Sequence, residues 1–235
     1  MKKIILLMIF LSFLQCKQEQ KLKLSKKEGL FKYYNEQYAN YISEYILIFS
    51  GDSTWDIRKK LAFDSAFYYV NKALQDFPEN NLFISRKTFL LLELHQFDEA
   101  IELTKKYPHL INGLTDYPYT EIIVNRFRAM QCVYQNDFAC KNHYLDIALD
   151  LIETFLLKHK DKIKESLDCK SMSTEILNMK SPYLMPVWQY YCYWGERENK
   201  VLAINKLKEI TDITIDLLQM YVNGLEFDFM HFNGI

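Results

Sequence analysis

From Leu30 onward the apolar positions recur every three or four residues, the spacing of one face of a helix. Leu30, Tyr33, Tyr34, Tyr38, Tyr41, Ile42, Tyr45 and Phe49 predict one long amphipathic helix, which Ser50-Gly51-Asp52-Ser53 interrupts. Asp52 and Ser53 are both able to cap the next helix, which runs through Trp55, Leu61, Ala66, Val70 and Leu74 to Phe77 and stops at Pro78. A third, capped from Asn80 or Asn81, carries Phe83, Phe89, Leu90, Leu91 and Leu94, and Gln96-Phe97 turns the chain. A fourth opens on Asp98 and Glu99 and closes on Lys105 and Lys106 before Pro108, the order that the helix dipole favours. Further on, Thr120 to Tyr134 and Ala139 to Phe155 pair as antiparallel helices, joined to the preceding part by a linker around Leu114 to Tyr119. A last pair runs from Pro186 to Trp194, turns over Gly195 to Asn199 and returns through Ala203, Leu207, Ile210, Ile213 and Leu217. The expected fold class is all-α.

Small residues punctuate this pattern. Ala66, Val70, Ala73 and Pro78 stand in a fixed order, and Ala100 follows Ala66 by 34 residues. Two antiparallel helices joined by a short turn bury a seam, and a small side chain there lets the backbones approach. The order and the period resemble the second helix of tetratricopeptide (TPR) repeats. The resemblance covers Trp55 to Pro108. The family's first-helix Gly and neighbouring aromatic are absent, and Ala139 lies 39 residues after Ala100, a repeat with a five-residue insertion. Hairpins of this kind each cover only part of their apolar face and must stack. The resemblance therefore implies a short right-handed solenoid with a concave binding surface.

The N-terminus has a different pattern. Met1-Lys2-Lys3 precedes an unbroken apolar run from Ile4 to Leu11, then Ser12, Phe13, Leu14, Gln15 and Cys16. A positive start before a short apolar stretch is the secretory pattern, and the stretch is about half of a membrane span. Leu11 to Cys16 resembles a loose lipobox of the kind seen in Bacteroidota lipoproteins, with Gln15 where a small residue is usual and Phe13 where Leu is usual. That resemblance implies a signal peptide over residues 1–15, lipidation of Cys16, and a membrane anchor at the bacterial cell envelope. Residues 16–28, charged and poor in apolar side chains, then read as a tether, and residues 29–235 as the helical domain.

Composition narrows the function classes. With 49% hydrophobic and 15% aromatic residues the chain can bury a sizeable core. The net charge of −1 becomes −3 once Lys2 and Lys3 leave with the signal, a balance that argues against a nucleic-acid partner. The one basic run, Lys158 to Lys164, reads as a solvated helix end or loop rather than a partner patch. No glycine-rich phosphate loop, His-Glu-x-x-His sequence or nucleophile elbow is present, and His143, Asp146 and Asp150 read as a solvated helix face. No enzyme activity, metal or cofactor is expected. Cys132, Cys140, Cys169 and Cys192 read as four separately buried thiols. A Cys132–Cys140 bridge across the expected hairpin is the alternative.

Aromatic density is the most unusual feature. Tyr33, Tyr34, Tyr38, Tyr41 and Tyr45 share one broad face, and Trp188, Tyr190, Tyr191, Tyr193 and Trp194 form a second group. Helix–helix core accounts for both. The functional alternative is a recognition platform whose candidate residues are Tyr38, Tyr41, Trp188, Tyr191 and Trp194. Phe227, Phe229 and Phe232 near the C-terminus are expected to fold back as a cap on the last helix pair. Two functions fit this reading. One is a membrane-tethered scaffold or adaptor for a protein or peptide partner. The other is a small-molecule or glycan-binding lipoprotein with an aromatic-lined cavity.

Overall fold

The computed structural model describes residues 25–45, 53–108, 114–168, 182–197, 200–214 and 218. Every long regular element among them is a helix, and none is a strand. Residues 25–45 form α1. It is followed by α2 (Ser53–Asp76), α3 (Asn81–Glu93), α4 (Phe97–Lys106), α5 (Tyr119–Tyr134), α6 (Phe138–Lys158), α7 (Lys160–Asp168), α8 (Leu184–Glu196) and α9 (Lys200–Thr211). The chain divides into two compact units between Leu90 and Leu91.

In the first unit the expected seam is in place. Ala66, Val70 and Ala73 of α2 are fully buried. Ala66 and Val70 join Tyr38, Phe63 and Leu90 in a core that Tyr41, Ile42, Tyr45, Phe67 and Leu74 flank. The three α2 positions fall on one helical stripe, so a single face meets α1 and α3. The Arg86 guanidinium lies 4.2 Å over the Tyr38 ring and donates to Asn35 Oδ1 at 2.7 Å. Tyr34 Oη donates to Asp76 Oδ2 at 2.8 Å, and this bond to a carboxylate pushes the phenol up to about 12. Asp76 ends α2 just before Phe77-Pro78, since a residue preceding proline avoids the α region. Asn80 opens α3, its side chain accepting from the Phe83 amide at 3.2 Å. The segment expected to be a tether is already helical at residues 25–28. Ser25-Lys26-Lys27-Glu28 has the spacing of a capping box, which favours helix over coil there.

In the second unit α4 packs on α5, α5 on α6, α6 on α8 and α9, and α8 on α9. The core is drawn mainly from Leu149, Ile152, Val187, Tyr190, Leu207 and their neighbours. The expected linker contributes to it, because Leu114 and Tyr117 are buried. The basic run is a solvated helix end, the first of the two forms expected, with its lysines exposed. It ends α6 and opens α7, whose Ile163 is fully buried against the same core. Three of its four lysines are also engaged within the unit: Lys158 with Asp116 (2.6 Å), Lys162 with Tyr183 Oη (2.9 Å) and Lys164 with Asp212 (3.5 Å). Ala139, expected in the next seam, is exposed, and Ala148 further along α6 is buried instead. No helix among the described residues is long and apolar enough to cross a membrane.

Candidate functional site

Two turns of the second unit, Leu94-His95-Gln96 and Gln135-Asn136-Asp137, close in the same way. In the first, His95 N–H donates to Leu92 O (3.0 Å) and Gln96 N–H to Leu91 O (2.9 Å). In the second, Asn136 N–H donates to Val133 O (2.9 Å) and Asp137 N–H to Cys132 O (2.8 Å). His95 and Asn136 both have φ 58°, so each helix ends in a left-handed residue that satisfies its last carbonyls. Asparagine, and more rarely histidine, tolerates that conformation without being glycine. Asp137 then starts α6, its carboxylate accepting from the Cys140 amide at 2.9 Å.

These turns bring apolar side chains to the surface together. The His95 ring stacks on Tyr134 at 4.1 Å between centroids, and Phe97, itself buried, lies 6.0 Å from the same ring. Leu94 and Val133, next to His95 and Tyr134 in the chain, are exposed, and Tyr134 and Phe138 are 60% and 58% exposed. Arg128 of α5 donates to Asp98 of α4 at 2.9 Å, an exposed pair that links the two helices. Cys132 and Cys140 are joined by a disulfide, with 5.7 Å between their Cα atoms. This corrects the expectation of four separate thiols. The three-residue turn brings the end of α5 and the start of α6 into bonding range. Val133, Tyr134 and Phe138 all lie inside the loop that the bridge closes.

Charged side chains gather at the C-terminal end of α8. Arg126 donates twice to Glu196 Oε1 (2.6 and 3.0 Å), Lys141 donates to the Glu196 carbonyl (2.9 Å), and Arg197 donates to Asp146 (2.8 Å). Earlier on α8, Gln189 accepts from Tyr117, both buried, and Tyr190 donates to Glu153 at 2.8 Å. Burial pushes the phenols of Tyr117, Tyr190 and Tyr193 upward, so all three stay protonated, and Tyr117 and Tyr190 act as the donors just described. Asp146, expected on a solvated face, is therefore part of a pair that ties α6 to the end of α8. Among the described residues no three His, Cys, Asp or Glu side chains gather to hold a metal ion.

The candidate platform residues are divided between the two units. Tyr38 lies in the core of the first unit, and Tyr191 and Trp194 lie in that of the second. Tyr41 stacks on Tyr69 at 5.7 Å, and Trp188 on Tyr191 at 5.8 Å, both half-buried. Packing alone accounts for their density. Cys16, Cys169 and the C-terminal phenylalanines lie outside the described residues. The sequence pattern does not single out Tyr134 and Phe138, because an apolar residue at a helix end has the same periodic signature whether or not a neighbour covers it. The available signal was the run of Val133, Tyr134 and Phe138 around Asn136-Asp137, more apolar than a solvated turn requires.

No family model, curated protein or solved structure matches the chain.

Proposed function

We propose that the chain is a membrane-tethered, TPR-like helical scaffold of a bacterial cell envelope that binds a protein or peptide partner and performs no catalysis. The observation that carries this reading is the exposed apolar surface formed by Leu94, His95, Val133, Tyr134 and Phe138. Isolated exposed apolar residues are ordinary, but five within two adjacent-helix turns, two of them stacked, support a recognition surface. The Cys132–Cys140 bridge adds a second line of support, since disulfides persist in oxidising compartments and the N-terminus carries an export pattern. The pairing of short-turned helices and the α2 seam favour hairpins stacked as a right-handed solenoid. The glycan-binding alternative has less to support it, because Tyr191 and Trp194 are taken up by the core.

The test is affinity purification of the tagged full-length protein from its native membrane, with mass spectrometry of polypeptides and small molecules. A stoichiometric protein partner, lost when residues 1–15 are exchanged for a soluble export signal, is the expected result. A partnerless protein carrying a glycan or metabolite overturns the scaffold reading.

A further inference from the structure

We infer that Cys140 is the thiol through which the Cys132–Cys140 bridge is made and opened: it takes up an outside disulfide as a mixed disulfide, which Cys132 then resolves. This goes beyond the scaffold reading and holds whichever partner the chain binds. Exposure separates the two cysteines. Cys132 is 4% exposed, whereas Cys140 is only partly buried and follows exposed Phe138 and Ala139. An outside sulfur therefore meets Cys140 first, and burial further disfavours a thiolate at Cys132. The helix ends act in the same direction. Cys132 lies in the last turn of α5 and Cys140 in the first turn of α6, where the dipoles oppose and favour a negative charge respectively. The Asp137 carboxylate, which accepts from the Cys140 amide at 2.9 Å, offsets part of the helix-end effect and leaves the difference in burial untouched.

The hairpin keeps the two sulfurs together when the bridge is open. Asn136 N–H to Val133 O (2.9 Å) and Asp137 N–H to Cys132 O (2.8 Å) close the turn through the backbone, and α6 packs along α5. The exchange balances in two steps. The Cys140 thiolate attacks a disulfide R–S–S–R′, forming Cys140–S–S–R and releasing R′–S⁻. Cys132 loses its proton to solvent, attacks Cys140 Sγ and releases R–S⁻. Two cysteine thiols are oxidised, and one outside disulfide is reduced to two thiols. In reverse, an outside thiolate attacks Cys140 Sγ and must expel Cys132 as a buried thiolate, a poor leaving group. The finished bridge therefore resists soluble thiols.

The experiment uses the full-length protein in detergent, reduced and then freed of reductant. Iodoacetamide is the first probe, with fragmentation mass spectrometry to assign each alkylated cysteine. In native buffer Cys140 is expected to react about tenfold faster than Cys132, and in urea the two rates converge. Oxidised glutathione is the second probe. Cys132→Ser is expected to accumulate a glutathione adduct on Cys140, whereas Cys140→Ser carries at least about tenfold less on Cys132. Both variants should unfold at the urea midpoint of the reduced unaltered protein, which keeps the comparison on folded chains. Equal alkylation rates in native buffer, or faster alkylation of Cys132, overturn the inference. So does a glutathione adduct that fails to form on Cys140 or forms equally on Cys132. If a variant unfolds early, the alkylation rates of the unaltered protein decide alone.

Discussion

Cys132 and Cys140 lock the end of α5 to the start of α6 across a three-residue turn, and the exposed Tyr134 and Phe138 sit on the loop they close. A cross-link over so short a loop acts mainly on the unfolded chain. On the loop-entropy account a loop of this size contributes roughly 2–3 kcal/mol. Urea unfolding of the oxidised and the reduced protein should therefore give midpoints separated by about that energy, with little change in slope. Coincident curves would mean that the bridge adds nothing to stability.

The alanines give a sharper test of register. Ala66 is fully buried in the α2 seam, whereas Ala139 is exposed at the start of α6. Ala66→Leu should cost about 1–3 kcal/mol, because added methylenes have nowhere to go. Ala139→Leu should fall within about 0.5 kcal/mol of the unaltered protein. Differential scanning calorimetry of the two variants decides it. A large penalty at Ala139 would return it to the seam.

These two residues also mark where the sequence was readable. Helix content, the stop at Pro78 and the Ala66-Val70-Ala73 seam follow from local rules, namely periodicity, caps and the need for small side chains where helices touch. Ala139 stands near the start of a second helix as Ala66 is expected to, yet it is exposed, and only the tertiary arrangement decides that. The same limit hid α7. Ile163 is the apolar residue that anchors it; the lysines around it are exposed, as a solvated run should be, and only their pairing with Asp116, Tyr183 and Asp212 needs the tertiary structure. The candidate surface was the least legible feature, since exposure of Tyr134 depends on how the described helices pack rather than on any property of tyrosine.

Trp194 separates packing from recognition on α8. It is 9% exposed in the second core, with the Arg197 guanidinium and the Lys206 ammonium over its ring at 5.5 and 5.1 Å. Trp194→Ala should cost about 3–5 kcal/mol, the usual penalty for emptying a buried aromatic site. Trp188→Ala, at a half-buried position, should cost less, roughly 1–2 kcal/mol. Thermal unfolding of both gives the order. Loss of a bound ligand from Trp194→Ala at an unchanged melting temperature would instead make Trp194 part of a platform.

Asp116 gives a prediction in pH. It lies in the segment before α5 and accepts from Lys158 Nζ (2.6 Å) and His159 Nε2 (2.9 Å) at the junction of α6 and α7. These two hydrogen bonds, the Lys158 one foremost, lower its carboxyl from the ordinary 3.8 to about 2. A carboxyl depressed on folding favours the folded state while it is ionised. Its contribution is complete above the unfolded value near 4 and disappears as pH falls through about 2. Asp116→Asn should therefore be less stable than the unaltered protein from about pH 5 upward, and the gap should close between about pH 4 and 2. Because the pair is exposed to solvent, added salt should narrow the gap at neutral pH as well. Urea unfolding of both proteins across this range measures it. A gap that persists unchanged below about pH 2 would show that Asp116 acts through shape or neutral hydrogen bonding rather than through its charge.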